Sequence, residues 1–132
     1  MGHLIGDKKA VDVTVPAGTY SHGDLYRISG FTGFLINDVT SGATDRNRSL
    51  EIAVNRAWKI KLPSGITPAV GDHLDWSSGA GTKRGDTDLV IAAAAQTGPP
   101  AVPANTGVCK VVTAKNANGY AEVILTEQRP NV

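Results

Sequence analysis

The feature of this 132-residue chain that most constrains its fold is a succession of short runs in which apolar and polar residues alternate, each cut off by a turn signal. Val11, Val13 and Val15 alternate with Asp12 and Thr14 before Pro16-Ala17-Gly18, and Trp58, Ile60 and Leu62 alternate with Lys59 and Lys61 before Pro63-Ser64-Gly65. Successive side chains on a strand point to opposite faces, so a period of two marks a strand with one face buried. Proline lacks the donor a ladder needs and glycine reaches backbone angles that other residues avoid, so the two together end the run. The same reading covers Tyr26 and Ile28 against Leu25 and Arg27, the apolar run 34–36, Leu50, Ile52 and Val54 against Glu51 and Ala53, and Leu74 and Trp76 against His73 and Asp75. Residues 108–113 and 121–126 are rich in β-branched side chains and are joined through Asn118-Gly119, a pair suited to the positive φ angles of a tight hairpin turn.

The predicted fold class is all-β: a small β-sandwich or barrel-like single domain with long loops and little helix. With 15 Gly and 7 Pro, turns are many, and 132 residues make one core rather than two. Residues 1–10 form a polar N-terminal arm, 11–127 the β-rich domain and 128–132 a short tail. Residues 88–96 carry the helix-favouring run Ala92 to Ala95 without an amphipathic stripe, so strand and helical turn both stay open there. Three prolines within 97–107 favour an extended surface connection. Two turns resemble each other: Pro16-Ala17-Gly18 leads to Gly23-Asp24, and Pro63-Ser64-Gly65 leads to Gly71-Asp72. An internal duplication and the simple reuse of good turn chemistry both account for that likeness.

Charge and cysteine content exclude several functions. Thirteen Lys and Arg against 12 Asp and Glu leave a net charge of +1, which gives no broad field to attract nucleic acid or an anionic membrane. Cys109 is the single cysteine, so no intrachain disulfide forms, and no cluster has metal-ligand spacing. No apolar run reaches a membrane span, and Asp7, Lys8 and Lys9 stand where a signal peptide would be apolar, so synthesis and assembly in a cytoplasm are expected.

No catalytic set is announced. His22 and His73 lie among many Ser, Thr and Asp, but no Gly-x-Ser-x-Gly elbow accompanies them. His73 and Asp75 share a strand face, which more often means a half-exposed histidine than a site, and Glu51 with Asp75 reads as solvated surface rather than a glycosidase pair. Cys109 alternates with Val111 and faces the core as an inert thiol. Arg46, Arg48, Arg56, Lys59 and Lys61 surround Trp58, the minimal makings of a nucleic-acid surface, although a solvated face is the better reading. Gly79, Gly81 and Gly85 near Lys83 do not make a phosphate loop, and Arg84-Gly85-Asp86 and Asn47-Arg48-Ser49 are short enough to arise by chance. The chain is therefore expected to be no enzyme, with no cofactor and no metal.

The order of the pieces resembles the capsid cement, or head decoration, proteins of tailed bacteriophages. The matching pieces are the Val-x-Val-x-Val strand with its Pro-x-Gly turn, Gly23-Asp24-Leu25-Tyr26, Gly33-Phe34-Leu35-Ile36 followed by Asp38, and Leu50-Glu51-Ile52-Ala53-Val54. They continue with the strand from Trp58 to Leu62 ending in Pro63, then Val70-Gly71-Asp72-His73-Leu74-Asp75-Trp76, and a closing hairpin ending Val123-Ile124-Leu125. The likeness runs from about residue 10 to about 127 and lies in order and spacing rather than in one diagnostic motif. It departs at Asn55-Arg56, where the family often has glycine, and in the length of 97–107.

The resemblance implies a non-enzymatic virion protein that binds the outer surface of the expanded shell of major capsid protein. It implies a homotrimer at three-fold and quasi-three-fold positions, with no direct contact to nucleic acid or membrane. Under it, residues 1–15 are the candidate clamp, through Leu4, Ile5, Lys8, Lys9, Val11 and Val13, because a polar tail entering a β segment can add a strand to a neighbour's edge. An ordinary frayed terminus accounts for the same composition. Trp58, Trp76 and Arg56 are candidate interface residues, while the scarcity of aromatics favours the core for both tryptophans. A β-barrel module for carbohydrate or single-stranded nucleic acid, and a tail or baseplate component, are the competing classes.

Overall fold

The computed structural model describes residues 9–54, 56–92 and 107–126. Among them the chain forms β1 (Ala10–Thr14), β2 (Leu25–Ile28), β3 (Phe31–Ile36), β4 (Asn47–Glu51), β5 (Ala57–Lys61), β6 (His73–Trp76) and β7 (Lys83–Arg84). A single helical turn, α1 (Gly85–Asp88), then leads to β8 (Leu89–Ile91), β9 (Cys109–Thr113) and β10 (Tyr120–Leu125). The strands make two antiparallel five-stranded sheets, ordered β1-β4-β3-β2-β7 and β5-β10-β9-β6-β8. The protein is thus a small all-β domain.

Two apolar clusters hold it. Between the sheets, Ile60, Leu74, Trp76, Leu89, Val111, Val123 and Leu125 of the second sheet meet Leu25 and Phe34 of the first. On the opposite side of the first sheet, Val13, Tyr26, Ile28, Leu35 and Leu50 are roofed by Val15, Tyr20 and Val39 from its own loops. Because the first sheet is covered on both sides there, the alternation in β2 does not separate a wet face from a dry one. All four of its residues are buried. Arg27 is 2 % exposed and donates to the carbonyls of Gly79 (2.8 Å) and Gly81 (2.9 and 3.1 Å), pinning the loop before β7. A buried guanidinium is tolerable only with such acceptors.

The closing hairpin forms as expected, but its turn is longer. Asn116 N–H donates to Tyr120 O and Gly119 N–H to Asn116 O, so the loop spans 116–119, and within it only Gly119, at φ 89°, is left-handed. Asn118 N–H instead donates to the Asn116 side chain. The two-residue turn with positive φ at both positions occurs between β2 and β3, at Ser29 (54°) and Gly30 (82°). The segment 88–96 divides: Asp88 closes α1, Leu89–Ile91 is strand, and 93–96 lie outside the described residues, as do 93–106 as a whole. Gly107, where the description resumes, packs so closely that an added Cβ would sit 2.2 Å from Leu74 O. At the N-terminus the strand begins one residue earlier than predicted, with Ala10 opposite Glu51 and Lys9 O accepting from Ile52 N–H.

The two similar turns are part of a larger correspondence. Gly23 N–H donates to Leu35 O and Leu35 N–H to Asp24 O; Gly71 N–H donates to Val111 O and Val111 N–H to Asp72 O. Both glycines are left-handed, at 85° and 92°. From these turns the register matches outward across the sheets. Val11 faces Leu50 as Trp58 faces Val123, Leu35 faces Leu50 as Val111 faces Val123, Leu25 faces Phe34 as His73 faces Lys110, and Arg27 faces Lys83 as Asp75 faces Val90. Reuse of a turn would not carry strand order and register with it. The two sheets are structural repeats of one four-stranded unit, each completed by a fifth strand from the β7-α1-β8 segment.

Candidate functional site

The arginines of the basic stretch around Trp58 are committed to the fold, while Lys59 and Lys61 are exposed. Arg46 Nε donates to Val15 O (2.9 Å), Arg48 donates to the carbonyls of Asp38 (3.1 Å) and Asn47 (2.7 Å), and exposed Arg56 pairs with Glu51. Trp58 is half-buried and stacks on Phe34 with ring centroids 4.6 Å apart and planes 9° from parallel. Trp76 is 7 % exposed and its Nε1–H donates to Thr32 Oγ1 at 3.0 Å. Both rings therefore serve the contact between the sheets, and Arg56 does not stand beside an open aromatic face.

The candidate clamp divides in a similar way. Leu4, Ile5 and Lys8 lie outside the described residues; Lys9 is exposed. Val13 is core and Val11 packs against the same cluster, because β1 is already hydrogen-bonded to β4 along Ala10–Thr14. Removing this strand to add it to a neighbour would open the first core. What β1 can offer a partner is its outer edge.

The remaining candidates do not converge on a reaction. His22 is exposed, with its backbone N–H on Asp38 Oδ1, and His73 Nδ1 is buried without a partner. No three of His, Cys, Asp and Glu gather as a metal site among the described residues. Burial, with a contribution from Asp75, pushes the Cys109 thiol up to about 12. Asp24 is raised first by burial and then by Asp86, against the pull of Arg84 and Lys61. Tyr26 is also raised by burial, and its hydroxyl oxygen accepts from Ser21 N–H at 2.7 Å. In Arg84-Gly85-Asp86 the glycine is buried, Arg84 lies 3.6 Å from Asp86 and over the rings of Tyr20 and Tyr26, so the tripeptide is an internal brace. Asn47 and Ser49 are likewise engaged, accepting from Thr14 and donating to Asp12 respectively.

Sequence reasoning did not single out the face that the described residues leave open. On the outer side of the second sheet, Lys59, Tyr120, Glu122, Ile124, Lys110, Val112, His73, Asp75 and Val90 share one surface through the register of β5, β10, β9, β6 and β8. Val90, Val112 and Tyr120 are 41 %, 43 % and 37 % exposed. The signal was present in the sequence as valines and a tyrosine at outward positions of alternating strands, but single exposed apolar residues are ordinary. Only the pairing shows that these occupy one face. No protein-family model, no curated protein and no solved structure matches the chain.

Proposed function

We propose that the chain is a capsid decoration protein: a structural component that binds the outside of an expanded shell of major capsid protein as a trimer and stabilises it against internal pressure. The observation that carries this reading is the order of strands and turns from Val11 to Leu125, which resembles the decoration family. The fold supports it in kind. A two-sheet domain whose described residues leave a mixed apolar and charged face uncovered suits a protein that acts by surface contact. Many modest contacts between one trimer and several shell subunits must break together, so avidity rather than a single tight contact holds such a protein in place.

The test is the mass of the purified protein by light scattering, followed by co-sedimentation with expanded, undecorated shells of the major capsid protein encoded in the same genome. Saturable binding that raises the disruption temperature of the shells is the expected result. Absence of binding to both expanded and unexpanded shells would overturn the proposal.

A further inference from the structure

The repeat tells which surface of the domain was shaped to be covered. In the first sheet, the face bearing Leu25 and Phe34 is buried by the inner face of the second sheet. The positions that match Leu25 and Phe34 in the second repeat are His73 and Lys110, the pair that sits at the same place in the ladder. These lie on the outer face of the second sheet, where Lys110 is exposed and His73 is half-buried. The repeats are stacked in tandem rather than facing each other, so one repeat has its outer face filled and the other, among the described residues, has no second sheet packed on it. The first sheet cannot continue the stack with another copy, because its far side is already closed by Val15, Tyr20 and Val39.

The open face has its own chemistry. Val90, Val112 and Tyr120 supply apolar area, and Lys59 and Lys110 are exposed with no carboxylate in ion-pair distance among the described residues, where the ion pairs are all made by arginines. Lys59 Nζ sits 5.8 Å from the Tyr120 ring centre. Glu122, opposite Lys59 in the ladder, accepts a hydrogen bond from the Thr113 hydroxyl at 2.6 Å and makes no ion pair among the described residues. A shallow hollow of about 230 Å³ lies between Lys59, Thr113, Tyr120 and Glu122. A larger hollow beside β1 and β4 is lined by groups that satisfy one another, Ser49 with Asp12 and Thr14 with Asn47, and offers no such unpaired charge.

We infer that the outer face of the second sheet is the docking surface, and that its occupant is an acidic, partly apolar patch of the shell protein. An aspartate or glutamate of the partner would meet Lys59 or Lys110, and a neighbouring apolar side chain would enter the hollow beside Tyr120. Charge complementarity of this kind speeds encounter and fixes orientation, while apolar contact at the centre supplies affinity. Aliphatic Val90, Val112 and Ile124, rather than a row of stacking rings, favour a protein over a nucleic acid.

This inference rests on the decoration reading, and the experiment separates the two. Shell binding is compared for the native chain, for Lys59→Glu with Lys110→Glu, for Val112→Asp, and for Thr44→Lys on an exposed loop of the first sheet as control, each first shown to melt at an unchanged temperature. The expected result is binding weakened about tenfold or more in both outer-face variants and unchanged in the control. Native binding should also weaken as salt rises from 50 to 500 mM, roughly the range over which such charges become screened. If the native chain binds shells and the outer-face variants bind equally well, the docking face is elsewhere and the decoration reading survives. If the native chain binds no shell, that reading itself fails. Capture of an oligonucleotide, lost with the same lysine changes, would overturn the assignment of a protein partner.

Discussion

At the scale of single residues, burial sets the behaviour of Cys109 more than any neighbour does. Its side chain is fully enclosed in the cluster between the sheets, and the thiol holds its proton up to about 12, against an ordinary value of 9.0. A raised pKa means that the folded state binds this proton more tightly than the unfolded one. Its contribution to stability is therefore complete below about pH 9 and is lost as pH climbs through 12. Two measurements follow from one cause. An aromatic disulfide reagent at pH 8 should leave the native thiol unmodified and react at the rate of unfolding, and the fall in urea midpoint between pH 9 and 11 should be shallower in Cys109→Ala. Rapid native-state labelling would show the enclosure to be wrong. The inward direction of Cys109 was legible from its alternation with Val111. The burial of Arg27 was not, since its acceptors Gly79 and Gly81 lie more than 50 residues away and a pattern of alternation cannot announce them. For the same reason Trp76 could be read as core but not paired with Thr32.

At the scale of elements, the alternating runs and turn residues located eight of the ten strands, six within a residue at each end, while β3 starts three residues before the apolar run 34–36 and β4 lies three residues before the alternation of Leu50, Ile52 and Val54. The strand β7 escaped and β8 stayed open between strand and helical turn because two or three residues do not make a period, and what holds them is pairing with β2 and β6. The Asn118-Gly119 pair predicts a two-residue turn, yet the Asn116 side chain accepts from the N–H groups of Asn118 and Tyr120 and the loop spans 116–119. In that loop glycine is needed at one position only. Gly119→Ala, with its left-handed backbone at φ 89°, should cost about 1–2 kcal/mol, whereas Asn118→Ala should change stability by less than about 0.5 kcal/mol. Chemical denaturation of the two variants checks the pair. A large loss at Asn118 with a small one at Gly119 would mean that the two-residue turn had been the right reading after all.

At the scale of the whole molecule, the repeats raise the question whether the two halves unfold as one. The first sheet has an apolar cluster of its own on its far side, which by itself would permit that half to outlast the other. The cluster between the sheets decides against that, because it takes Leu25 and Phe34 from the first sheet and cannot persist without them. Both tryptophans report on this contact: Trp58 stacks on Phe34, and Trp76 is hydrogen-bonded to Thr32, each partner belonging to β3. Tryptophan fluorescence therefore reads separation of the sheets, while far-UV circular dichroism reads loss of the strands themselves. Because the strands of the second sheet bury one face only against the first, separation and melting should be a single event, and the two signals should give coincident transitions. Phe34→Ala should lower the stability by about 3–5 kcal/mol and leave the transitions coincident, since it weakens the shared cluster without giving the second sheet a core of its own. A fluorescence transition that precedes the dichroism transition, in the native chain or in the variant, would instead show that the sheets part before they melt, and that the tandem units retain an independence their shared core does not suggest.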